Sequence, residues 1–472
     1  MRVFRFFDVW FQYNTIKNSF SYWLFRHRYY YDNTKNFYQS YVAPQSSIVH
    51  VQGKDGFLLE RLKPKKGICI DDHESIIQGQ LKYNAFEFYE SLRMVSDQQI
   101  DYIILSFATM EAEDIQMLFQ SLQRFCTPSS RIILETYTLW WAPLLWLAQK
   151  LKLKRPMRYK NWLARSDIVN IAQLADFEMV TSGGYILIPF YIPIISWVVN
   201  DFIAHLPLIN SLCLNQWMVL RPKPQLAAHH SVTILIPCRN EKGNVEQAVL
   251  RAPQLGLSTE IIFVEGNSSD GTLDEIKRVA AEYPDKNIRC YVQESKGKGD
   301  AVRKGFAHAT GDILMILDGD LTMPPEELPK FYDAIISGKG DFINGSRLVY
   351  GMESGEMSFM GWVSNKFFAR LVSWIMGQSV KDTLCGTKVL WKKDYDIIIA
   401  QREKLGLADP FGDFDLLFGA AKLNLKIIDI PIHYMRRTYG KTAIRKYKEV
   451  WFLLWMCWRA FDVLKRKNNA KN

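Results

Sequence analysis

Four apolar runs of strand length alternate with helical windows between Val232 and Leu317, and each run ends in polar residues. The first opens at Val232 and is stopped by Pro237. The second spans Glu260 to Glu265, the third Ile288 to Gln293, and the fourth Ile313 to Leu317. This alternation predicts parallel strands joined by crossover helices, an α/β sheet. Ligands of such open sheets collect outside the carboxyl edges of the strands. One edge would then gather Pro237, Arg239, Glu241, Glu265, Asp270, Lys298 and the acids Asp318 and Asp320 of the Asp-Gly-Asp that follows the fourth run. If the chain stays extended through that tripeptide, alternate residues face one way and both acids enter one site. A pair of hard oxygen ligands suits Mg2+ or Mn2+, with water and phosphate oxygens completing the shell. An isolated Asp-Gly-Asp is more often a polar turn.

A chain of 472 residues exceeds one ordinary core and predicts two α/β domains. The expected division is a basic, aromatic lead-in over 1–40, a first domain over 41–222, a Pro-containing linker over 223–231, a second domain over 232–443, and a basic amphipathic helix and tail over 444–472. The net charge of +10 calls for an anionic partner, and aromatics at 14% beside many Lys and Arg favour a membrane interface as much as nucleic acid. Seven cysteines without a C-x-x-C pair indicate neither zinc nor a disulfide framework. The first residues show no apolar signal-peptide core, so a cytoplasmic protein, peripheral at the inner membrane face, is the expectation. The stretch Tyr185–Ile209 has the length of a membrane span but is interrupted by three prolines, an Asn-Asp pair and a His. A cap on the first domain fits it better, with membrane contact the alternative.

From Ser46 onward, strand and helix signals alternate through SSIVHVQ, KKGICIDD, DYIILSF and SRIILETY. This order resembles the class I S-adenosylmethionine-dependent methyltransferases, with a Rossmann-like sheet. The resemblance places Gly53, Gly56 and Asp71 as remnants of a cofactor site, Asp71 matching the acid that binds ribose hydroxyls. The loop departs from the family: Gln52 and Lys54 stand where two glycines belong, and His50 replaces an acid. Side chains there would fill space the cofactor needs. S-adenosylmethionine binding is therefore not expected, and the domain reads as a degenerate methyltransferase-like unit kept for architecture or partner binding.

The second domain carries strand-Pro-x-x-Asn-Glu, an acid before Ser-Ser-Asp-Gly-Thr, Gly-Lys-Gly-x-Ala and Asp-Gly-Asp, in order within about ninety residues. Together these resemble the inverting GT-A glycosyltransferases of family 2, and among them the polyprenyl-phosphate sugar transferases such as the dolichyl-phosphate mannosyltransferases. The resemblance implies a nucleotide-diphosphate sugar donor and a lipid-phosphate or other envelope glycan acceptor. It implies Asp318 and Asp320 on a divalent ion, and the nucleotide against Glu265 and Asp270. Lys298 reads as a phosphate or sugar contact, or as a solvated lysine. Arg347 reads as a phosphate ligand or a structural ion pair. Asp382-Thr-Leu-Cys-Gly-Thr-Lys resembles the family's acceptor-side loop, in which Cys385 is a packed residue. Asp415 falls on the family's general-base position with Asp413 two residues earlier, and a lipid phosphate, already ionised, would need neither as a base. Arg436 or Arg437 would bind donor diphosphate or acceptor phosphate. The segment Ile444 to Lys467 sets an aromatic apolar centre between basic ends, which suits an interfacial helix on anionic headgroups, with a core-packing helix and basic tail the alternative. The alternatives are a bifunctional glycosyl- and methyltransferase, and a non-catalytic protein binding nucleic acid or an anionic membrane. Two aligned acids in a groove disfavour nucleic acid. The sequence sets no oligomeric state.

Overall fold

The computed structural model describes residues 20–157, 161–223, 229–347, 359–405, 409, 412–435, 437, 439 and 446–465. The chain divides into two units, one reaching Lys223 and one running from Pro224 to Leu464. Both are α/β, and each is built on a seven-stranded sheet.

In unit 1 the strands are β1 (Ser47–Val51), β2 (Lys66–Ile70), β3 (Glu87–Tyr89), β4 (Ile100–Ser106), β5 (Cys126–Tyr137), β6 (Phe177–Tyr185) and β7 (Asn215–Pro222). Their order is β3-β2-β1-β4-β5-β7-β6, parallel through β5, with β7 antiparallel to both neighbours. Strand order reverses between β1 and β4, so the carboxyl edge there is where a doubly wound sheet would take a ligand. Val49, Ile103 and Ile132 have no exposed surface, as expected of strands covered on both faces. The helix Arg28–Tyr41 packs into this core, placing fully buried Tyr38 so that its hydroxyl donates to Glu135 Oε2 at 2.9 Å. After β6 the apolar stretch breaks into short pieces, Ile195–Asp201, Ile203–His205 and Pro207–Asn210. None of the described helices is long and apolar enough to cross a membrane.

Unit 2 contains β8 (Val232–Cys238), β9 (Thr259–Glu265), β10 (Asn287–Val292), β11 (Ile313–Ile316), β12 (Phe342–Ser346), β13 (Lys388–Trp391) and β14 (Ile427–Pro431), ordered β10-β9-β8-β11-β13-β12-β14. The four strands read from the sequence are the parallel block β10-β9-β8-β11. Beyond it β13 runs antiparallel to β11 and β12, and β14 is parallel to β12. Both units fasten their two central strands alike at the amino edge. Asp101 Oδ2 accepts from Ser47 N and Oγ, and Asp312 Oδ2 accepts from Ser231 N and Oγ. The helix Lys446–Leu464 buries Leu453, Met456 and Ala460, and stacks Phe461 on Trp374 at 5.3 Å. Its apolar face is thus largely spent on unit 2, and what stays outside is the ridge Trp451, Trp455 and Trp458.

Candidate active site

Strand β11 ends at Ile316, so the extended geometry expected through Asp-Gly-Asp does not occur. The chain turns instead: Leu321 N donates to Asp318 O at 3.1 Å, with Leu321 at a φ of 52°. Gly319 lies against the end of β8, where a Cβ would come within 2.9 Å of Pro237 O. The turn gives each acid its own partner. Lys298, first residue of the helix Lys298–His308, places Nζ 2.5 Å from Asp318 Oδ1. Arg437 Nη2 donates to Asp320 Oδ2 at 2.5 Å, while Asp320 Oδ1 accepts from Thr322 N and Oγ1. Burial opposes the charge on Lys298, but Asp318 and Asp413 outweigh it and raise the ammonium pKa. Burial likewise opposes the Asp318 charge, and Lys298 holds that carboxyl below its ordinary value.

Around this pair the strand ends contribute unequally. Glu241 is buried, accepts from Asn244 Nδ2 at 2.7 Å, and is pushed up to about 7, chiefly by desolvation and further by Asp320. Asp270 precedes the helix Thr272–Glu282 and accepts from Thr272 N and Oγ1, and also from Tyr439 OH at 3.2 Å. Glu265 is buried and turned onto its own loop, where Oε1 accepts from Ser268 N at 2.5 Å. Arg239 is exposed beside Gly266. Arg436 lies outside the described residues.

Arg347 is engaged as an ion pair. Its Nε and Nη2 donate to the two oxygens of fully buried Asp382 at 2.7 and 2.9 Å, the paired geometry a guanidinium favours. Burial alone would raise Asp382, but Arg347 overrides it and holds the carboxyl at about 2. Asp413 and Asp415, both in the first turn of the helix Asp413–Lys422, diverge. Two residues make about 200° of helix, so side chains at that spacing face opposite ways. Asp413 turns toward the lysines, with Oδ1 3.6 Å from Lys388 Nζ and 4.0 Å from Lys298 Nζ, and accepts no hydrogen bond at that buried oxygen. Asp415 sits behind the helix with Arg402 Nε at 2.8 Å and Arg303 Nη1 at 3.7 Å, in a pocket lined by Val302, Tyr395 and Ile398.

Residues 233–398 match the family model described as glycosyl transferase family 2. Unit 2 carries a glycosyl transferase family 2 domain. A dolichol-phosphate mannosyltransferase of Pyrococcus furiosus is 37% identical over 145 residues, which are 30% of this chain and 38% of that protein. The dolichol-phosphate mannosyltransferase of Saccharomyces cerevisiae is 34% identical over 22% of this chain and 40% of its own. An undecaprenyl-phosphate 4-deoxy-4-formamido-L-arabinose transferase of an Enterobacter species is 24% identical over 46% of this chain and 64% of its own. The chain thus spans less than two thirds of the length of each of these relatives. Among solved structures, glucosyl-3-phosphoglycerate synthase of Mycobacterium tuberculosis, solved with Mn2+ and uridine diphosphate, aligns at 17% identity over 50% of this chain and 80% of its own, with a TM-score of 0.37. A type 11 methyltransferase structure from Sulfolobus solfataricus aligns at 14% identity over 39% of this chain and 89% of its own, with a TM-score of 0.28.

Two residues of the family 2 domain escaped the sequence reading although their loop did not. A Cβ on Gly386 would lie 1.9 Å from Asp318 Oδ2, so only glycine lets this loop touch the acid. Lys388 is fully buried, and its Nζ donates to Asn344 Oδ1 at 3.0 Å and to Cys385 O at 2.5 Å while facing Asp413. A lysine following Cys-Gly-Thr at the start of a strand was the available signal. Cys385 itself is buried and pushed up to about 12 by desolvation, the state of a packed thiol.

The remnant positions in unit 1 are occupied by the chain. Asp71 accepts from Lys54 N at 2.7 Å, with Lys54 Nζ at 3.7 Å, and Gln52 Nε2 donates to Glu111 Oε2 at 2.9 Å. Gln52 and Lys54 hold φ of 57° and 58°, the left-handed backbone that glycine would adopt freely. His50 is buried, bonds Ser106 Oγ at 2.8 Å, and is pushed down to about 3 by desolvation. Gly53 is closed in by Cys69 Sγ and the His50 ring, and Gly56 by Phe88.

Proposed function

We propose that this chain transfers a sugar, with inversion, from a nucleoside-diphosphate sugar to a polyprenyl-type lipid phosphate. The observation that carries this reading is the grouping of Asp318, Asp320, Lys298 and Arg437 at the carboxyl edges of β8 and β11 in a family 2 domain. The relatives' names supply the acceptor class. Among the described residues no three His, Cys, Asp or Glu side chains are gathered as a metal cage. A two-carboxylate site still fits a hard divalent ion, which takes one or two acids and completes its shell with donor phosphates. Asp318 and Asp320 would hold Mg2+ or Mn2+, which supplies charge neutralisation for the departing diphosphate.

The remaining work falls to the chain's own groups. Lys298 and Arg437, now neutralising the two acids, offer N–H donors and positive charge to diphosphate oxygens entering between them. Glu265 and Asp270 flank the same edge as the nucleoside contacts. Asp413, the one of the two acids that turns toward Lys298, is the candidate to accept a proton from a hydroxyl acceptor, whereas an ionised lipid phosphate needs only positioning by Lys298. The Trp451, Trp455 and Trp458 ridge would rest at a membrane surface beside the lipid acceptor. Methyl transfer as a second activity is disfavoured by Lys54 on Asp71.

The test is calorimetry with a panel of nucleotide sugars, with and without Mn2+, followed by transfer of labelled sugar to a polyprenyl phosphate. Metal-dependent donor binding that the Asp318→Ala, Asp320→Ala double variant abolishes is expected. Equal binding by that variant removes the reading.

A further inference from the structure

Fifteen of the thirty-two large apolar side chains that stand exposed among the described residues fall in two short stretches of unit 1, residues 139–153 and 190–212. Trp140 is 74% exposed, Trp146 64%, Ile194 75% and Leu208 87%. The stretches meet in space: Trp141 Nε1 donates to Leu212 O at 2.8 Å, and Thr138 N to Leu214 O at 3.0 Å. At on the order of 100 Å² per large side chain, they leave an apolar surface well beyond the few hundred Å² ordinary for a monomer.

The charges beside the first stretch say what covers it, and residues 190–212 add no Lys or Arg and one acid, Asp201. From Thr138 to Ser166 the sequence holds seven Lys or Arg and no Asp or Glu, and Lys150 Nζ lies 5.2 Å over the Trp146 ring. Protein interfaces exclude lysine from their apolar centre. Tryptophan and leucine interleaved with lysine, as in Leu151-Lys152-Leu153-Lys154, is the composition that seats at the headgroup boundary of an anionic bilayer. The helices on these stretches, Ala142–Lys150, Ile195–Asp201 and Pro207–Asn210, are too short to span and suit shallow insertion.

We propose that residues 139–153 and 190–212 form a monotopic docking surface for an anionic lipid bilayer. It is made of unit 1 residues alone and does not depend on the glycosyl-transfer reading. The experiment is co-sedimentation of the full chain with phosphatidylcholine vesicles, with and without phosphatidylglycerol, across a salt series. Binding that requires phosphatidylglycerol and weakens with salt is expected. Trp140→Ser, Trp146→Ser, Leu208→Ser in one chain should weaken it at least about tenfold, with Tm and nucleotide-sugar binding unchanged. Lys150→Glu, Lys152→Glu should abolish the preference for anionic lipid, a readout independent of the apolar changes. The proposal is overturned if the wild-type chain ignores both vesicles, or if the triple variant binds like wild type. It is also overturned if the surface proves to be a dimer contact, with the triple variant converting a dimer to a monomer and no vesicle binding in either form.

Discussion

Gly386 presses its backbone against the Asp318 carboxylate so closely that a Cβ would sit 1.9 Å from Oδ2. The loop Asp382–Lys388 therefore sets the position of an acid some seventy residues earlier in the chain. Gly386→Ala should push Asp318 aside and lower kcat for sugar transfer about 100-fold, the usual consequence of an ångström of misplacement. Steady-state kinetics beside a melting curve would show it, and an alanine variant with wild-type turnover would contradict this geometry.

Asp413 and Asp415 share a helical turn but face different cations. Asp413→Asn should reduce sugar transfer and alter its pH profile if the acceptor is a hydroxyl, and alter it far less with a lipid phosphate. Asp415→Asn should lower Tm, since Arg402 and Arg303 lose their partner, and leave the pH profile as it was. The reverse assignment of the two effects would exchange their roles.

The Arg347–Asp382 pair is fully enclosed on the acid side. Because Asp382 is held at about 2 in the fold, against an unfolded value near 4, its contribution is complete above about pH 4 and disappears as pH falls toward 2. That contribution is on the order of 2 kcal/mol. Asp382→Asn should cost about 3 kcal/mol at pH 7, where it strands a buried guanidinium. Its deficit should shrink in acid, which urea midpoints at pH 7 and pH 3 would measure.

Glu241 titrates the opposite way. Desolvation raises its folded pKa to about 7. The folded state therefore holds a proton that the unfolded chain releases, and stability from this group declines as pH rises from about 4 through 7. Without added divalent ion, Glu241→Gln should raise Tm at pH 8 more than at pH 5. Equal shifts at both values would show that Glu241 is charged throughout.

In unit 1, Lys54→Met removes the ion pair to Asp71 but leaves the backbone donors Lys54 N and Asp72 N in place, and should destabilise the chain by at most about 1 kcal/mol in chemical denaturation. Titration of the wild-type chain with S-adenosylmethionine should give no saturable heat. Micromolar binding would mean that Lys54 leaves Asp71 readily.

The alternation of strand-length runs with helical windows was enough to specify two α/β domains and the four strands that form the parallel block, because burial on both faces writes central strands such as β8, β9 and β11 as apolar runs. Their order in the sheet came only from the structure. The spaced motifs likewise marked the family 2 domain, since their residue types follow from what a diphosphate requires. Sequence could not say where Asp-Gly-Asp points, because strand β11 stops two residues before Asp318 and the following turn is fixed by packing of Gly319 on β8. Nor could it pair Arg347 with Asp382, Arg437 with Asp320 or Lys388 with Asp413, partners separated by between 25 and 117 residues. Local pattern determines which elements form. Which charge meets which is decided only when the strand ends and the loops folded over them converge, since Coulomb energy depends on distance in space and not on distance along the chain.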